Sequence, residues 1–456
     1  MINTRECKSQ TRKAQMLFRV LLAAAGLTAM AAGSDPAAER LKRFNEWKFG
    51  MFIHWGPYSQ ASVEASWPLM RPAQHAGISE ADYRALAKTF NPVQFDAKAW
   101  MRLAKEAGQR YVVFTSKHHD GFCMFDSAYT DYKVTKSPYG KDIALMLAEA
   151  AREEKMPLGF YYSPPDMNHP GFRDTSKPSS TNWTGEPWRA EWPLYIDYME
   201  MQVRELLSRY GDVAVVWFDG LGEQRKYDGW RLHRTIREMQ PDTLINNRIG
   251  LAGDYDTPEQ RIPKGIPRKG AVVGNTDGSK DKGVDARAPR AEEFRPWETC
   301  MTINGTWGYN KNDKRYKSTT QLVQMLVDVA SKGGNFLLNV GPTPEGTIQP
   351  EFVERLRGIG AWLKTNGDSI YGTTYGPWQN LSFGRSTARG KTVYLHVFEW
   401  PAGPLTVAGA AEKIASARML AGGRPVRFSQ KPEGLTLELA GRPAGEHATV
   451  IELRLK

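Results

Sequence analysis

Cysteine is scarce in this chain: 456 residues contain three, Cys7, Cys123 and Cys300. Their spacing matches no zinc motif, and so few cannot staple a small disulfide-built domain. Long apolar runs are scarce too. The run Val20–Ala32 falls short of the roughly 20 residues a spanning helix needs. Concentrated charge is also missing. Lys and Arg exceed Asp and Glu by 11, yet no dense basic run falls on one predicted helix and no nucleic-acid motif appears. The excess implies weak attraction to polyanions and no nucleic-acid partner.

What is present at the amino terminus points to export. Arg5, Lys8, Arg12, Lys13 and Arg19 precede the apolar run, and Ala29-Met-Ala31 offers a small-x-small cleavage site. Residues 1–31 therefore read as a signal peptide, the mature protein as periplasmic or secreted, with no membrane span once the leader is removed. Cys7 leaves with the leader. Cys123 and Cys300 are expected to be free and buried, and they can pair only if the fold brings them together.

The remaining length suits a barrel of roughly 250 residues or more with an accessory unit. Val213-Ala-Val-Val-Trp-Phe-Asp-Gly220 is a short β-branched and aromatic run ending in a carboxylate and a glycine, the pattern of a strand buried on both faces. Similar runs occur at Lys48–Pro57, Tyr111–Lys117, Pro157–Ser163, Thr243–Gly250, Arg295–Thr302 and Gly334–Gly341. Helical patterns lie between most of them: Ser79–Phe90 with Ser79 as N-cap, Asp96–Ala107 stopped by Gly108, then Asp142–Glu154, Tyr195–Arg209, Trp230–Met239, Thr319–Ser331 and Glu351–Lys364. The expectation is α/β: a (β/α)8-like TIM barrel over residues 32–375 with an incomplete helical ring. Gly253–Glu293, rich in Gly, Pro and charge, reads as a long surface excursion. From 376 to 456 the period shortens to two between Gly/Pro turns, predicting a C-terminal antiparallel β-sandwich.

Polar residues gather at predicted strand carboxyl ends: His54, His118, His119, Tyr161, Asp219, Arg248 and Glu298, with Trp55, Trp67, Trp217, Trp297 and Trp307 nearby. The bland alternative for Asp219 is a helix cap. Two carboxylates among neutral donors and aromatic faces suit cleavage of a glycosidic bond, which needs one ionised and one protonated carboxyl. His118-His119-Asp120 also resembles a ligand cluster. Adjacent strand residues face opposite ways, however, so the two histidines share a metal only across a sharp bend. The same alternation leaves open whether Tyr161 or Tyr162 faces the site. Among Glu292, Glu293 and Glu298, the last lies in the apolar Trp297–Met301 strand, where burial raises its pKa. Glu298 is therefore the expected acid/base, the alternative being a buried structural glutamate paired with an arginine.

Phe52-Ile-His-Trp-Gly56, Ser116-Lys-His-His-Asp-Gly-Phe122, Phe160-Tyr-Tyr-Ser163, Trp217-Phe-Asp-Gly220 and Ile245-Asn-Asn-Arg248 together resemble glycoside hydrolase family 29, the retaining α-L-fucosidases. So do Asp254-Tyr-Asp-Thr-Pro-Glu-Gln260, Trp297-Glu-Thr-Cys300, Trp307-Gly-Tyr-Asn310 and Asn335-Phe-Leu-Leu-Asn-Val-Gly-Pro342. The resemblance implies an exo-acting enzyme on fucosylated glycans with no metal or organic cofactor. It also implies that Asp219 is the nucleophile and Glu298 the acid/base. His54, Trp67, His118, His119, Tyr161, Arg248 and Trp307 would hold the sugar. Many relatives carry Glu-Trp where Ser66-Trp67 stand, and Glu64 is a candidate substitute. The alternatives are a barrel glycosidase for a related sugar such as an α-L-galactoside, or a catalytically silent fucose-binding protein.

Overall fold

The computed structural model describes residues 35–73, 75, 77–178, 190–220, 224–270, 290–379, 381–439, 441 and 445–456. Residues 1–34, 179–189 and 271–289, among them the expected leader and parts of the two long loops, lie outside these. Internal contacts divide the chain into two compact units, Met1–Glu39 and Arg40–Lys456. Only residues 35–39 of the first are described, and the second holds all that follows.

Helix α1 (Pro36–Trp47) precedes seven parallel strands. These are β1 (Phe49–Ile53), β2 (Val112–Lys117), β3 (Leu158–Tyr162), β4 (Val215–Phe218), β5 (Leu244–Ile245), β6 (Glu298–Thr302) and β7 (Asn335–Val340). Their order in the sheet is β5-β4-β3-β2-β1-β7-β6. Short α2 (Trp67–Met70) and α3 (Glu80–Ala85), then α4 (Ala97–Glu106), connect β1 to β2. The following connections carry α5 (Ile143–Glu153), α6 (Trp192–Arg209) and α7 (Gly229–Met239). Helix α8 (Thr319–Ser331) lies between β6 and β7, and α9 (Pro350–Asn366) follows β7. Among the described residues no α-helix lies between β5 and β6.

Every residue of these strands is buried, as continuous apolar runs require. Alternation divides their side chains between two cores. Phe52, Val113, Tyr161, Val215, Trp217, Cys300 and Leu337 form one cluster inside the curled sheet. Met51, Ile53, Val112, Phe160, Tyr162, Val216, Phe218 and Leu338 join the larger cluster beneath the helices. Tyr161 therefore faces inward, while Tyr162 donates from its hydroxyl to Gln202 on α6. Caps set the helix starts: Ser79 accepts from Asp82 N, Asp96 from Ala99 N, and Asp142 from Leu145 N.

The start of the Gly253–Glu293 segment corrects its reading as a surface excursion. Tyr255, Asp256 and Glu259 form parallel bridges to Asn246 on one side and to Trp297 and Cys300 on the other, so this stretch joins the two edges of the sheet. Charge hid it. Asp254 pairs with Arg40 and Arg237, Asp256 with Arg295, and Glu259 with Arg248, so acidic residues that would ordinarily mark a solvated loop are buried against arginines.

Beyond α9 the chain forms two antiparallel sheets. One has the order β12-β15-β10-β9-β8, from β8 (Thr374–Tyr375), β9 (Gly384–Arg389), β10 (Thr392–Val397), β12 (Ile414–Met419) and β15 (Thr449–Leu455). The other is β11 (Leu405–Ala408), β14 (Gly434–Glu438) and β13 (Arg427–Lys431). Val393, Leu395, Val407, Leu435, Leu437 and Leu453 share one apolar core across them. Cys123 and Cys300 are free and buried, as expected.

Gly253 turns the chain into the closing stretch at φ +56, where an added Cβ would meet the carbonyl oxygens of Ile245 and Asn246. Gly253→Ala is expected to lower unfolding free energy by about 1–3 kcal/mol and to displace Glu259. Chemical denaturation checks the first and turnover the second. An unchanged midpoint with full activity would contradict this account of how the sheet closes.

Candidate active site

Asp219 is the first residue beyond β4, and its inward direction follows the parity of Val215 and Trp217. Its Oδ1 accepts from Arg248 Nη1 at 2.9 Å and its Oδ2 from the Tyr161 hydroxyl at 3.0 Å, with His119 Nε2 at 3.5 Å. Burial alone would raise its pKa. The charge of Arg248 and the nearness of His119 outweigh burial and hold it well below the usual carboxylate range. Asp219 is thus kept ionised.

Arg248 Nη1 donates a second bond, to Glu259 Oε2 at 2.8 Å. The guanidinium is itself fixed: Nε donates to Thr257 Oγ1 and Nη2 to Thr257 O, both at 2.9 Å, and it lies 4.8 Å over the Trp217 ring. The facing oxygens of Asp219 and Glu259 can be no farther apart than these two bonds laid end to end. That bound lies near the roughly 5–5.5 Å of retaining glycosidases and under the roughly 6.5–9.5 Å of inverting ones. Glu259 has its pKa raised, by burial above all and also by the charge of Asp219, against the opposing pull of Arg248. Two carboxyls sharing one cation are therefore pushed apart in protonation.

Three histidines line the same end of the sheet, each with Nδ1 engaged: His54 by Asn339 Oδ1 at 2.7 Å, His118 by Ser66 Oγ at 2.7 Å and His119 by Ser163 Oγ at 2.5 Å. Burial lowers the pKa of His54 to about 4 and that of His118 well below its ordinary value, so both rings are neutral and can donate or accept. The argument from strand alternation fails for this pair. Strand β2 ends at Lys117, the chain turns, and the His118 and His119 rings lie 4.3 Å apart on the same side. Among the described residues no group of three or more His, Cys, Asp or Glu is arranged to hold a metal. Trp307 stands 4.9 Å from His54 and Trp67 6.3 Å from His119, ring to ring.

Glu298 is misplaced by the sequence reading. It opens β6, opposite the first residue of β7, and so lies at the amino end of a parallel sheet whose carboxyl ends carry Asp219 and the histidines. Its Oε1 accepts from Trp217 Nε1 at 2.8 Å and its Oε2 from the Tyr111 hydroxyl, with no exposure to solvent. Burial does push its pKa up to about 7, the property expected of an acid/base. The error lay in taking a raised pKa for a position at the mouth. Glu259, in the Asp254–Gln260 stretch that reads as loop from sequence, is brought to this end of the sheet by its bridge to Cys300 and its bond to Arg248. Ser66 is wholly buried, accepting from Asp120 N at 2.9 Å while it holds His118. Glu64 accepts from Trp307 N at 2.8 and 3.1 Å, and burial raises its pKa to about 7.

Two carboxyls on one cation, one held ionised and the other raised in pKa, with three histidines beside them, suit a glycosidase-type site, and comparison with known proteins gives the family. Residues 28–368 match the α-L-fucosidase family model, and the chain belongs to that family. Rat plasma α-L-fucosidase is 30% identical, the alignment covering 93% of this chain and 94% of that protein. The α-L-fucosidase of Branchiostoma floridae is 29% identical, with 87% and 88% covered. Among solved structures, α-L-fucosidase isoenzyme 1 from Paenibacillus thiaminolyticus superposes with a TM-score of 0.81 at 36% identity, over 92% of this chain and all of that one. A family 29 α-L-fucosidase from Bacteroides thetaiotaomicron, a covalent intermediate trapped with 2-fluoro-fucosyl fluoride, gives 0.76 at 28% identity, over 93% and 97%.

The protonated form of Glu298 is favoured by the fold. The stability this adds is complete below pH about 4.5 and is lost as pH rises through about 7. Glu298→Gln, neutral throughout, is expected to flatten this dependence in melting curves taken between pH about 4.5 and 8, with no azide rescue of turnover. Azide rescue in that variant would return Glu298 to the chemistry.

Proposed function

We propose that this protein is an exo-acting, retaining α-L-fucosidase in which Asp219 is the nucleophile and Glu259 the acid/base. One observation carries the assignment: a single Arg248 nitrogen bonded to both carboxylates at the carboxyl end of the sheet. Asp219 attacks the anomeric carbon as the glycosidic C–O bond breaks, and Glu259 gives its proton to the departing oxygen. Water, deprotonated by Glu259, then attacks the same carbon and the bond to Asp219 breaks. Glu259 recovers its proton and fucose leaves with its original anomeric configuration. Burial differences fit these roles. The Glu259 side chain is 20% exposed and that of Asp219 12%, so the acid faces outward to the leaving group and the nucleophile lies deeper.

His54, His118, His119 and Tyr161 supply fixed hydrogen-bonding atoms to the fucose hydroxyls, and Trp67 and Trp307 supply its apolar wall. Arg248 acts through the two carboxylates. The seven parallel strands with the 255–259 stretch as the eighth support a (β/α)8-like barrel, and the two antiparallel sheets after residue 376 support a sandwich. The basic, apolar leader supports export, and no helix among the described residues is long and apolar enough to cross a membrane.

Activity requires Glu259 protonated, so kcat/KM is expected to fall as pH rises through its raised pKa. Glu259→Gln should abolish that alkaline limb. It should also lower kcat/KM on a fucosyl disaccharide by about 10²–10⁴-fold, with a much smaller loss on activated aryl fucosides. Azide should restore turnover, releasing fucosyl azide. Wild-type behaviour of Glu259→Gln on the disaccharide would defeat the assignment.

A further inference from the structure

We propose that the cavity beside Glu259 is the subsite for the leaving-group sugar and that it is built for a neutral one. This rests on the fucosidase reading above and goes beyond it to the other half of the substrate. The cavity has a volume of about 590 Å³ and is lined by Glu64, Trp67, His75, Gln260, Thr306 and Trp307 among others. That volume is in the usual range for small-ligand sites, about 300–1,000 Å³.

Its position follows from three contacts. Gln260, which lines the cavity, is the residue after Glu259, and Glu259 lies near enough to the lining Glu64 to act on its charge, so the cavity begins next to the acid. Trp307 reaches His54 from the same wall, and Trp67 reaches His119. The two indoles therefore separate the histidine pocket from the cavity. A sugar whose fucosyl unit fills the first must pass its leaving oxygen to Glu259 and its next ring into the second.

Its chemistry follows from the lining. Indoles beside amide, hydroxyl and imidazole groups suit a sugar ring, with apolar faces for C–H and neutral dipoles for hydroxyls. Among the described residues the lining holds one carboxylate, Glu64, and no lysine or arginine. Two arginines come near and neither lines it: Arg71 lies 5.0 Å over the Trp67 ring, and Arg315, beside Gly305, is paired with Asp313 at 3.1 Å. Glu64 is oriented by the Trp307 N–H, and Asp313 and Glu259 are close enough to raise its pKa. An acidic substituent on the leaving sugar thus gives up water on entering this cavity and meets no lining cation to replace it. The discrimination is local, since the whole chain carries a formal charge of +11 and attracts polyanions in general.

The test compares kcat/KM of the whole protein on three substrates sharing the fucosyl unit: α-L-fucosyl fluoride, a neutral fucosyl disaccharide, and that disaccharide sulfated on its leaving sugar. The neutral disaccharide is expected to exceed the sulfated one by about tenfold or more. His75→Arg places a cation in the cavity and should narrow that gap by about fivefold. Thr306→Lys, on the opposite loop, should do the same where the first variant fails to fold. Equal rates on the neutral and sulfated substrates, or a gap that neither cation changes, overturn the proposal while turnover of the fluoride persists. Loss of turnover on all three by the unmodified protein overturns the fucosidase reading instead.

Discussion

Everything at this site depends on one guanidinium. Arg248 is almost wholly buried, and a buried arginine is tolerated only when its donors are satisfied and its charge is balanced. Here Nε and Nη2 are spent on Thr257, while Nη1 faces two carboxylates. One cation between two acids cannot keep both fully ionised in a low-dielectric pocket. The acid with additional donors from Tyr161 and His119, Asp219, keeps the charge, and its neighbour Glu259 is pushed toward the protonated form. The division of labour that a two-step glycosidase needs is a consequence of this unequal sharing.

The surroundings keep that pair fixed. Asn339 ties two loops together: its Oδ1 engages His54, and its Nδ2 donates to Trp307 O at 2.7 Å. Ser66 and Ser163 do the same for His118 and His119, leaving each ring with one nitrogen for other partners. Trp217 separates Glu259 from Glu298. Its face carries Arg248, which holds Glu259, and its indole N–H donates downward to Glu298. One acid stands at the carboxyl end of the sheet beside Asp219, and the other at its amino end.

Much of this was legible from the residues. The seven strands and the antiparallel carboxyl-terminal region follow from apolar periodicity, because burial on both faces of a strand leaves a plain signature. Asp219, Arg248 and the histidines were found because they end such strands. Glu259 was not, since it sits on a stretch whose acidic residues are neutralised by arginines distant in sequence, and pairing across space leaves no periodic trace. Glu298 was over-read for the opposite reason. An apolar strand does raise the pKa of a carboxyl within it, but pKa carries no information about which end of the strand the carboxyl occupies. The bend after Lys117 was likewise invisible, since alternation holds only while the chain remains a strand.

The central claim is that Asp219 becomes covalently attached to the sugar. The most direct measurement is brief reaction with a 2-deoxy-2-fluoro-fucosyl fluoride, followed by proteolysis and mass spectrometry of the labelled peptide. The mechanism predicts one fucosyl-derived mass increment, located on Asp219 within Val213–Gly220. A label on Glu259 or Glu298, or stoichiometric inactivation with Asp219 unmodified, would contradict it.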